Sequence, residues 1–351
     1  MAEKQLTLHI LCKHFSSMKR PIYILLAALA LLTGGCRKAP QWKVAEGAVW
    51  HTTYRILYDA PEALDDSIQA VLRQVEMSLS PFAHDSRISR INRGETDSAD
   101  ADIAAVFAVA QQVNRLSHGR FDPTVAPLVD LWGFGTDMRS RALAENDTAA
   151  FAVTDGQIAQ ALRTVGIDSC AIAGGRMRRK SDGTTFNFSA VTKGYGCDRI
   201  AAMLARNGSK NHMVEIGGEI ALGGHNPQGE PWRIQIDAPV ESEAPVHQRL
   251  STIALEGPAG IATSGNYRNF HTSARYGRFG HTIDPKTGRP VRTDVVSATV
   301  VAPTTAQADA WATACMASKA DSAIARMKGV EGLRYLLVVA KGDSLTTVST
   351  L

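Results

Sequence analysis

Runs with strand-like alternation and runs with helical spacing follow one another irregularly along this 351-residue chain, and that order most limits what it can fold into. Residues 49–58 alternate enough for a strand. Residues 64–77 have helical spacing, with Leu64, Ile68, Val71, Leu72 and Val75 on one face. Residues 102–117 form a second amphipathic pattern, with Ile103, Val106, Phe107, Ala110 and Val113 together. A loop punctuated by Pro and Gly over 121–135 holds Asp122, Pro123, Thr124, Pro127 and Trp132, and a helix is expected over 157–165. A strand at 186–189 should feed a helix over 192–207. Residues 213–222 then read as a strand pair broken at Gly217-Gly218, followed by strands at 232–236 and 296–301, a helix over 309–327 and a closing strand at 333–339. A parallel sheet needs strict alternation of strand and helix, which is missing. The expected fold class is therefore α+β, in one unit over residues 44–351. A hydrophobic content of 44% supplies a core, and a formal net charge of +4, evenly spread, argues against a nucleic-acid partner.

The first 36 residues stand outside that unit. Lys19-Arg20 precedes an apolar run over 22–32, and Thr33-Gly34-Gly35 leads to Cys36. This is the layout of an export signal, too short for a comfortable membrane span. A cysteine after two glycines resembles a lipidation site, although Thr33 stands where Leu is usual. Met18 makes a better start than Met1. The expectation is an exported lipoprotein anchored through Cys36 and facing the periplasm, at the inner membrane, with a linker over 37–43; an uncleaved N-terminal anchor is the alternative. Cys170, Cys197 and Cys315 have neither disulfide-framework nor zinc-site spacing and are expected to be small buried residues.

Several segments concentrate chemistry. His281-Thr282-Ile283-Asp284-Pro285-Lys286-Thr287-Gly288-Arg289-Pro290 places an imidazole and a carboxylate three residues apart, then closes on a Pro-x-x-Gly turn. A surface hairpin with incidental polar residues is an equal reading. Asp309 and Thr313, four apart on a helix, could ligate a hard cation, or Asp309 could simply cap the helix. Lys193, near a helix start, suits an anionic ligand such as phosphate but lacks the spaced glycines of a Walker A loop; an exposed lysine is the alternative. Glycines inside Glu215-Ile216-Gly217-Gly218-Glu219-Ile220 mark a bulge, a corner or a close ligand. Trp50, Phe82 and Trp132 could stack on a flat ring or belong to the core.

Taken together and in this order, these segments resemble the ApbE family, the FAD:protein FMN transferases. The resemblance rests on Trp50-His51-Thr52-Thr53-Tyr54, on Ser86-x-Ile88-Ser89-Arg90-Ile91-Asn92, and on the stretch from Phe121-Asp122-Pro123-Thr124 to Trp132-Gly133-Phe134-Gly135. It continues through residues 187–198, 215–220, 261–270, 281–290 and 308–314. It implies an α+β, T-fold-like domain with two related β-rich halves flanked by helices, and FAD between the halves. It also implies Mg²⁺-dependent transfer of FMN from FAD to a Ser or Thr hydroxyl of an acceptor protein, releasing AMP; some relatives hydrolyse FAD to FMN and AMP instead.

By the same resemblance His281 is the base; an imidazole's unperturbed pKa of about 6.5 suits that role at neutral pH. Asp309, Thr313 and the backbone carbonyl of Ala190 are the implied metal ligands. Trp50, Phe82, Arg120, Phe121, Asp122, Asn187, Lys193 and Ile283 are the implied FAD contacts, and Asp284 shapes the turn and supports the metal from behind its ligands. Three positions depart from the family's usual pattern. Asn187 stands where Asp is frequent, Trp50-His51 replaces Met-Gly, and Phe82 stands where Tyr or Trp is common. The implied partners are FAD, acceptor subunits of the Rnf or sodium-pumping quinone reductase type, and the membrane through the lipid anchor.

Overall fold

The computed structural model describes residues 41–135, 152–239, 248–265, 270–273, 275–342 and 344–351. The expected leader, with Met18 and Cys36, and residues 37–40 of the expected linker lie outside the described residues. No described helix is long and apolar enough to cross a membrane.

The described chain begins with the hairpin β1 (Gln41–Val49) and β2 (Thr52–Ala60), paired in register from Gln41 opposite Ala60 to Val49 opposite Thr52. Gln41, Trp42 and Lys43, expected in a linker, are thus strand residues. Trp42 packs edge-on against Trp232 (centroids 6.1 Å apart), which ties this end of the strand down. The strand expected over 49–58 is instead the end of β1, a turn, and most of β2. Trp50 and His51 adopt φ of 47° and 63°, the left-handed pair of a two-residue hairpin, without the Asn or Gly that normally announces one.

Helices α1 (Asp65–Leu79), α2 (Arg87–Asn92), α3 (Ala101–Leu116), α4 (Ala126–Leu131) and α5 (Asp155–Leu162) follow. The apolar face expected on α1 is buried, and α3 starts where the Asp100 carboxylate accepts the Ile103 amide at 2.9 Å. A capping box between Thr154 and Gln157 starts α5. The ribbon β3 (Ala171–Ala173) and β4 (Arg176–Arg178) precedes α6 (Ser189–Arg206). No strand forms over 186–189: the amide and carbonyl of Phe186 are both met by the side chain of Asn92, at 2.8 Å each, in place of a neighbouring strand. Then come β5 (His212–Ile216), β6 (Glu219–Gly223), β7 (Trp232–Asp237), β8 (Arg249–Leu255), β9 (Ala259–Gly265), β10 (Phe270–Ser273), β11 (Gly277–Gly280) and β12 (Val295–Ala302). Helices α7 (Thr305–Met316) and α8 (Ala320–Met327) lead to β13 (Arg334–Lys341) and β14 (Ser344–Ser349). The single helix expected over 309–327 is thus two, broken where Asp294 accepts the Ala320 amide at 2.9 Å and starts α8 afresh.

Eight strands form one antiparallel sheet in the order β1-β2-β5-β6-β9-β12-β13-β14. Its two four-stranded halves share a plan: two strands, an excursion that lays a helix on the sheet (α6 in the first, α7 in the second), then two more strands. Side chains alternate between the faces. Ile56, Val214, Ala221, Ala262, Val300 and Leu337 join the helix-side core, while Leu222, Ile261, Val301, Leu336 and Val338 meet the ribbon β7–β8 on the other side. A third cluster, including Leu128, Trp132, Ile158, Phe279 and Ile283, builds a separate lobe of α4, α5 and the 281–290 loop. Cys170, Cys197 and Cys315 are free thiols and buried.

The two halves are joined on the helix side by α6 and α7. The Asp198 carboxylate of α6 accepts the amides of Thr305 (2.8 Å) and Ala306 (2.9 Å), satisfying the first turn of α7. In return Asp309 of α7 accepts the Gly194 amide of α6 at 3.1 Å. Gly194 is glycine because a Cβ there would collide with the backbone of Thr305. Gly194→Ala gains helix propensity of about 1 kcal/mol, but overpacking typically costs about 1–3 kcal/mol. With the obstacle a backbone carbonyl, we expect a net loss of stability in urea denaturation; a gain would show that the seam has slack.

Candidate active site

Two clefts, of about 250 and 230 Å³, lie against the first turns of α6 and meet at Phe82 and Ser189, which line both. Of the implied base, metal ligands and FAD contacts, all but Asp309 line one or the other, whereas Trp132 and Asp284 line neither.

The first cleft holds Trp50, Phe82 and Lys193. The Trp50 indole packs on Gly196, where a Cβ would sit 2.7 Å from the ring, and its buried Nε1 donor has no partner among the described residues. Phe82 is the most exposed large apolar side chain among the described residues, at 59%. Both rings are therefore available to a flat ligand. The Lys193 ammonium lies 2.5 Å from Glu219 Oε1. Burial would strip Lys193 of its proton, but the Glu219 and Asp309 carboxylates outweigh this and hold it above the ordinary lysine value. Burial pushes Glu219 up to about 8, with Lys193 opposing, and its Oε2 has no hydrogen-bond partner among the described residues. Lys193 is thus not an exposed lysine. Glu219 escaped notice as a site residue; its only sequence signal is an acid directly after Gly217-Gly218 in an otherwise apolar strand.

The second cleft brings together Arg120, Phe121, Asp122, Asn187, Ala190, His281, Ile283 and Thr313. Asp122 faces inward chemically: its carboxylate takes the Thr124 amide (2.9 Å), the Thr124 hydroxyl (2.6 Å) and the Ile167 amide (3.2 Å). Its oxygens organise the loop, leaving little for a ligand. Asn187 Oδ1 accepts the Ser189 amide at 2.9 Å, satisfying an orphan donor at the start of α6. Phe121 and Ile283 are almost wholly buried and contribute wall rather than polar contacts.

The loop carrying His281 is stiff for the reasons its composition implies. Asp284 donates its amide to the Arg289 carbonyl (2.9 Å), and its Oδ1 accepts the Lys286 amide (2.9 Å). Gly288 takes φ 67° and could not carry a Cβ, which would lie 2.6 Å from Ile158 Cγ2. Trp132 Nε1 donates to the Gly288 carbonyl at 2.7 Å, so this tryptophan is core, not a stacking platform. Arg120 binds Asp284 Oδ2 at 2.8 Å, locking the turn to the loop at 121–135. Phe134, which was read only as part of that loop, stacks on His271 (centroids 4.3 Å) and meets His281 edge-on (6.2 Å).

Asp309 is not a helix cap: Thr304 holds that position, and Asp309 sits in the second turn of α7, buried. Burial pushes its carboxyl up, opposed by Lys193 and by the Gly194 amide. In an unbroken helix that amide would point at the carbonyl of Ala190, but Ala190 is non-helical (φ −83°, ψ 15°), which tips its carbonyl out of the helical direction. Thr313, one turn on from Asp309, lines the cleft with Ala190. Among the described residues no group of three or more His, Cys, Asp or Glu could hold a metal ion. A carboxylate, a displaced carbonyl and a hydroxyl are all oxygen donors, which suit a hard cation.

These features define a site for a ligand with a flat ring and an anionic group. The chain matches the ApbE family over residues 47–337. It is 35% identical to the FAD:protein FMN transferase of Vibrio cholerae, over 83% of this chain and 86% of that relative. It is 31% identical to the FAD:protein FMN transferase of Haemophilus influenzae, over 93% and 95%. Among solved structures, the flavin transferase ApbE from Vibrio cholerae superposes with a TM-score of 0.74 at 32% identity, covering 88% of this chain and 97% of that one. The chain belongs to the ApbE family.

Removing one partner of a buried ion pair costs about 3–5 kcal/mol, because the other charge is left uncompensated. Lys193 keeps about a third of its side chain in contact with solvent (34%), so Glu219→Ala should fall at or below the lower end. Adding Lys193→Met should recover part of the loss. Chemical denaturation of both single variants and the double variant checks this; strict additivity would mean the pair is not coupled.

Proposed function

We propose that this protein transfers FMN from FAD to a Ser or Thr hydroxyl of an acceptor protein and releases AMP. The observation that carries this reading is that a member of the ApbE family places His281, Asn187, Ala190 and Thr313 around one cleft, next to a second cleft walled by Trp50, Phe82 and Lys193. In the reaction the acceptor oxygen forms a bond to the FMN phosphorus, and the bond from that phosphorus to the pyrophosphate bridging oxygen breaks. AMP leaves with the electron pair, and the hydroxyl proton passes to His281. Trp50 and Phe82 hold flat rings, and Lys193 supplies positive charge toward the pyrophosphate. Asp309, Thr313 and the Ala190 carbonyl would hold Mg²⁺, which when bound neutralises phosphate charge.

The same reading places the protein at the periplasmic face of the inner membrane, tethered by lipid on Cys36, with acceptors of the Rnf or sodium-pumping quinone reductase type. The chain does not offer itself as acceptor: its nearest likeness to an acceptor segment, Ser297-Ala298-Thr299, is buried in β12.

Mass spectrometry of such an acceptor after incubation with FAD and Mg²⁺ tests the reading. An added mass of FMN is expected, while free FMN with an unmodified acceptor would instead identify an FAD pyrophosphatase, and intact FAD a carrier. His281→Ala should lower transfer by at least about 10²-fold, the usual scale for a lost general base, with FAD binding retained. Transfer at the wild-type rate would place the base elsewhere. Asp309→Ala should lose activity and raise the Mg²⁺ concentration needed for half-maximal rate; unchanged activity at low Mg²⁺ would remove Asp309 from the cation site.

A further inference from the structure

Beyond Arg120, on the side away from the flavin cleft, lies a groove of about 1080 Å³, several times larger than either cleft. Six cationic side chains line it, Arg120, Arg278, Arg289, Arg292, Lys319 and Arg326, against the single carboxylate of Asp284. That carboxylate is engaged by Arg120 at 2.8 Å. Arg289 pairs with Asp155, and Arg326 donates to the Ser318 hydroxyl at 3.0 Å. Arg292 and Lys319 are exposed and make no salt bridge or side-chain hydrogen bond among the described residues. The formal charge of the whole chain is only +4, so this is a local concentration of positive charge rather than a general excess. The cations also crowd one another: Arg326 is held below the ordinary arginine value by burial and then by the facing charge of Arg120. Between the charges the wall carries apolar surface from the half-buried Tyr276, Val291 and Val296.

The groove is continuous with the site of the chemistry. Arg120 and Ala317 line both the groove and the second cleft. Along the stiff loop, Gly280 and Asp284 line the groove, while the three residues between them, His281, Thr282 and Ile283, line the cleft. A chain lying in the groove can therefore present a side chain to His281.

We propose that this groove docks the acceptor protein through an acidic, extended segment rich in Asp and Glu beside the hydroxyl that receives FMN. The role of that segment rests on the transferase reading; the anionic character of the occupant rests on the groove alone. Complementary charge steers encounter and fixes the register of the bound segment, and apolar contacts between the charges hold it. A concave trough with an aromatic wall favours a polypeptide over a bilayer surface, which is flat.

The test uses the full chain and fluorescein-labelled deca-glutamate, followed by anisotropy without FAD, beside FAD binding and sedimentation with phosphatidylglycerol vesicles. The variant is Arg292→Glu with Lys319→Glu, neither of which lines either cleft; Arg292→Gln with Lys319→Gln is the milder companion. Wild type should bind deca-glutamate, but not deca-lysine, with an affinity that falls as salt rises. The reversal should weaken that affinity about tenfold or more, the neutral pair by less, with FAD binding unchanged in both. Deca-glutamate binding that ignores both variants would overturn the proposal. So would an equal loss of FAD affinity, which would make the groove part of the nucleotide site, or a loss confined to vesicle binding, which would make it a lipid contact. Intact deca-glutamate binding without FMN transfer to any acceptor would sink the transferase reading and leave the acidic-segment site standing.

Discussion

The exchange of carboxylates between α6 and α7 is the contact on which the rest of the molecule depends. Each helix lies on its own half of the sheet, and each supplies an acid to backbone amides of the other: half-buried Asp198 to the start of α7, and buried Asp309 to Gly194. A buried carboxylate is costly unless donors meet it, so the seam holds only when both helices are in register. Gly194 permits the approach that makes the donors reach. Because Lys193 and Ala190 flank the same turn, setting the seam also sets the cation in one cleft and the tipped carbonyl in the other.

Local patterns were legible where local forces decide. The apolar faces of the helices at 64–77 and 102–117 lie close to where their spacing places them, and the 281–290 turn is rigid because Pro285 and Gly288 leave it few choices. What escaped were features held by distant partners. Nothing near residue 50 announces the hairpin turn, since its left-handed backbone is carried by Trp50 and His51. Phe186 and Phe188 mimic a strand because both are buried, yet the strand's place is taken by one side chain, Asn92. The candidate residues gathered in two neighbouring clefts because the family resemblance named them as a set. Glu219, which no local pattern marks, became visible only through its contact with Lys193, and the proposed cap role of Asp309 gave way once Thr304 was seen to fill it.

The aromatic lobe shows how a flexible-looking composition yields a fixed imidazole. Residues 121–135 and 281–290 are rich in Pro and Gly, yet the bonds from Trp132 to Gly288 and from Arg120 to Asp284 tie them to each other. Phe134 then borders His281, so the loops behave as one rigid piece. The cost of ordering them is met by the third apolar cluster, apart from the sheet, which leaves this lobe a packing unit of its own.

The three thiols among the described residues give the molecule an internal record of its own opening. Cys197 lies between α6 and β6, donating to the Glu219 carbonyl at 3.2 Å; Cys315 lies where α7 meets α8, 3.6 Å from the Met327 sulfur; Cys170 directly precedes β3. Burial raises all three, Cys315 to about 12, so in the closed protein none is a ready nucleophile. Each can react with an alkylating reagent only while its own surroundings are apart. The rate at which each sulfur is labelled therefore measures how often that one region separates, in a protein that carries its probes already in place.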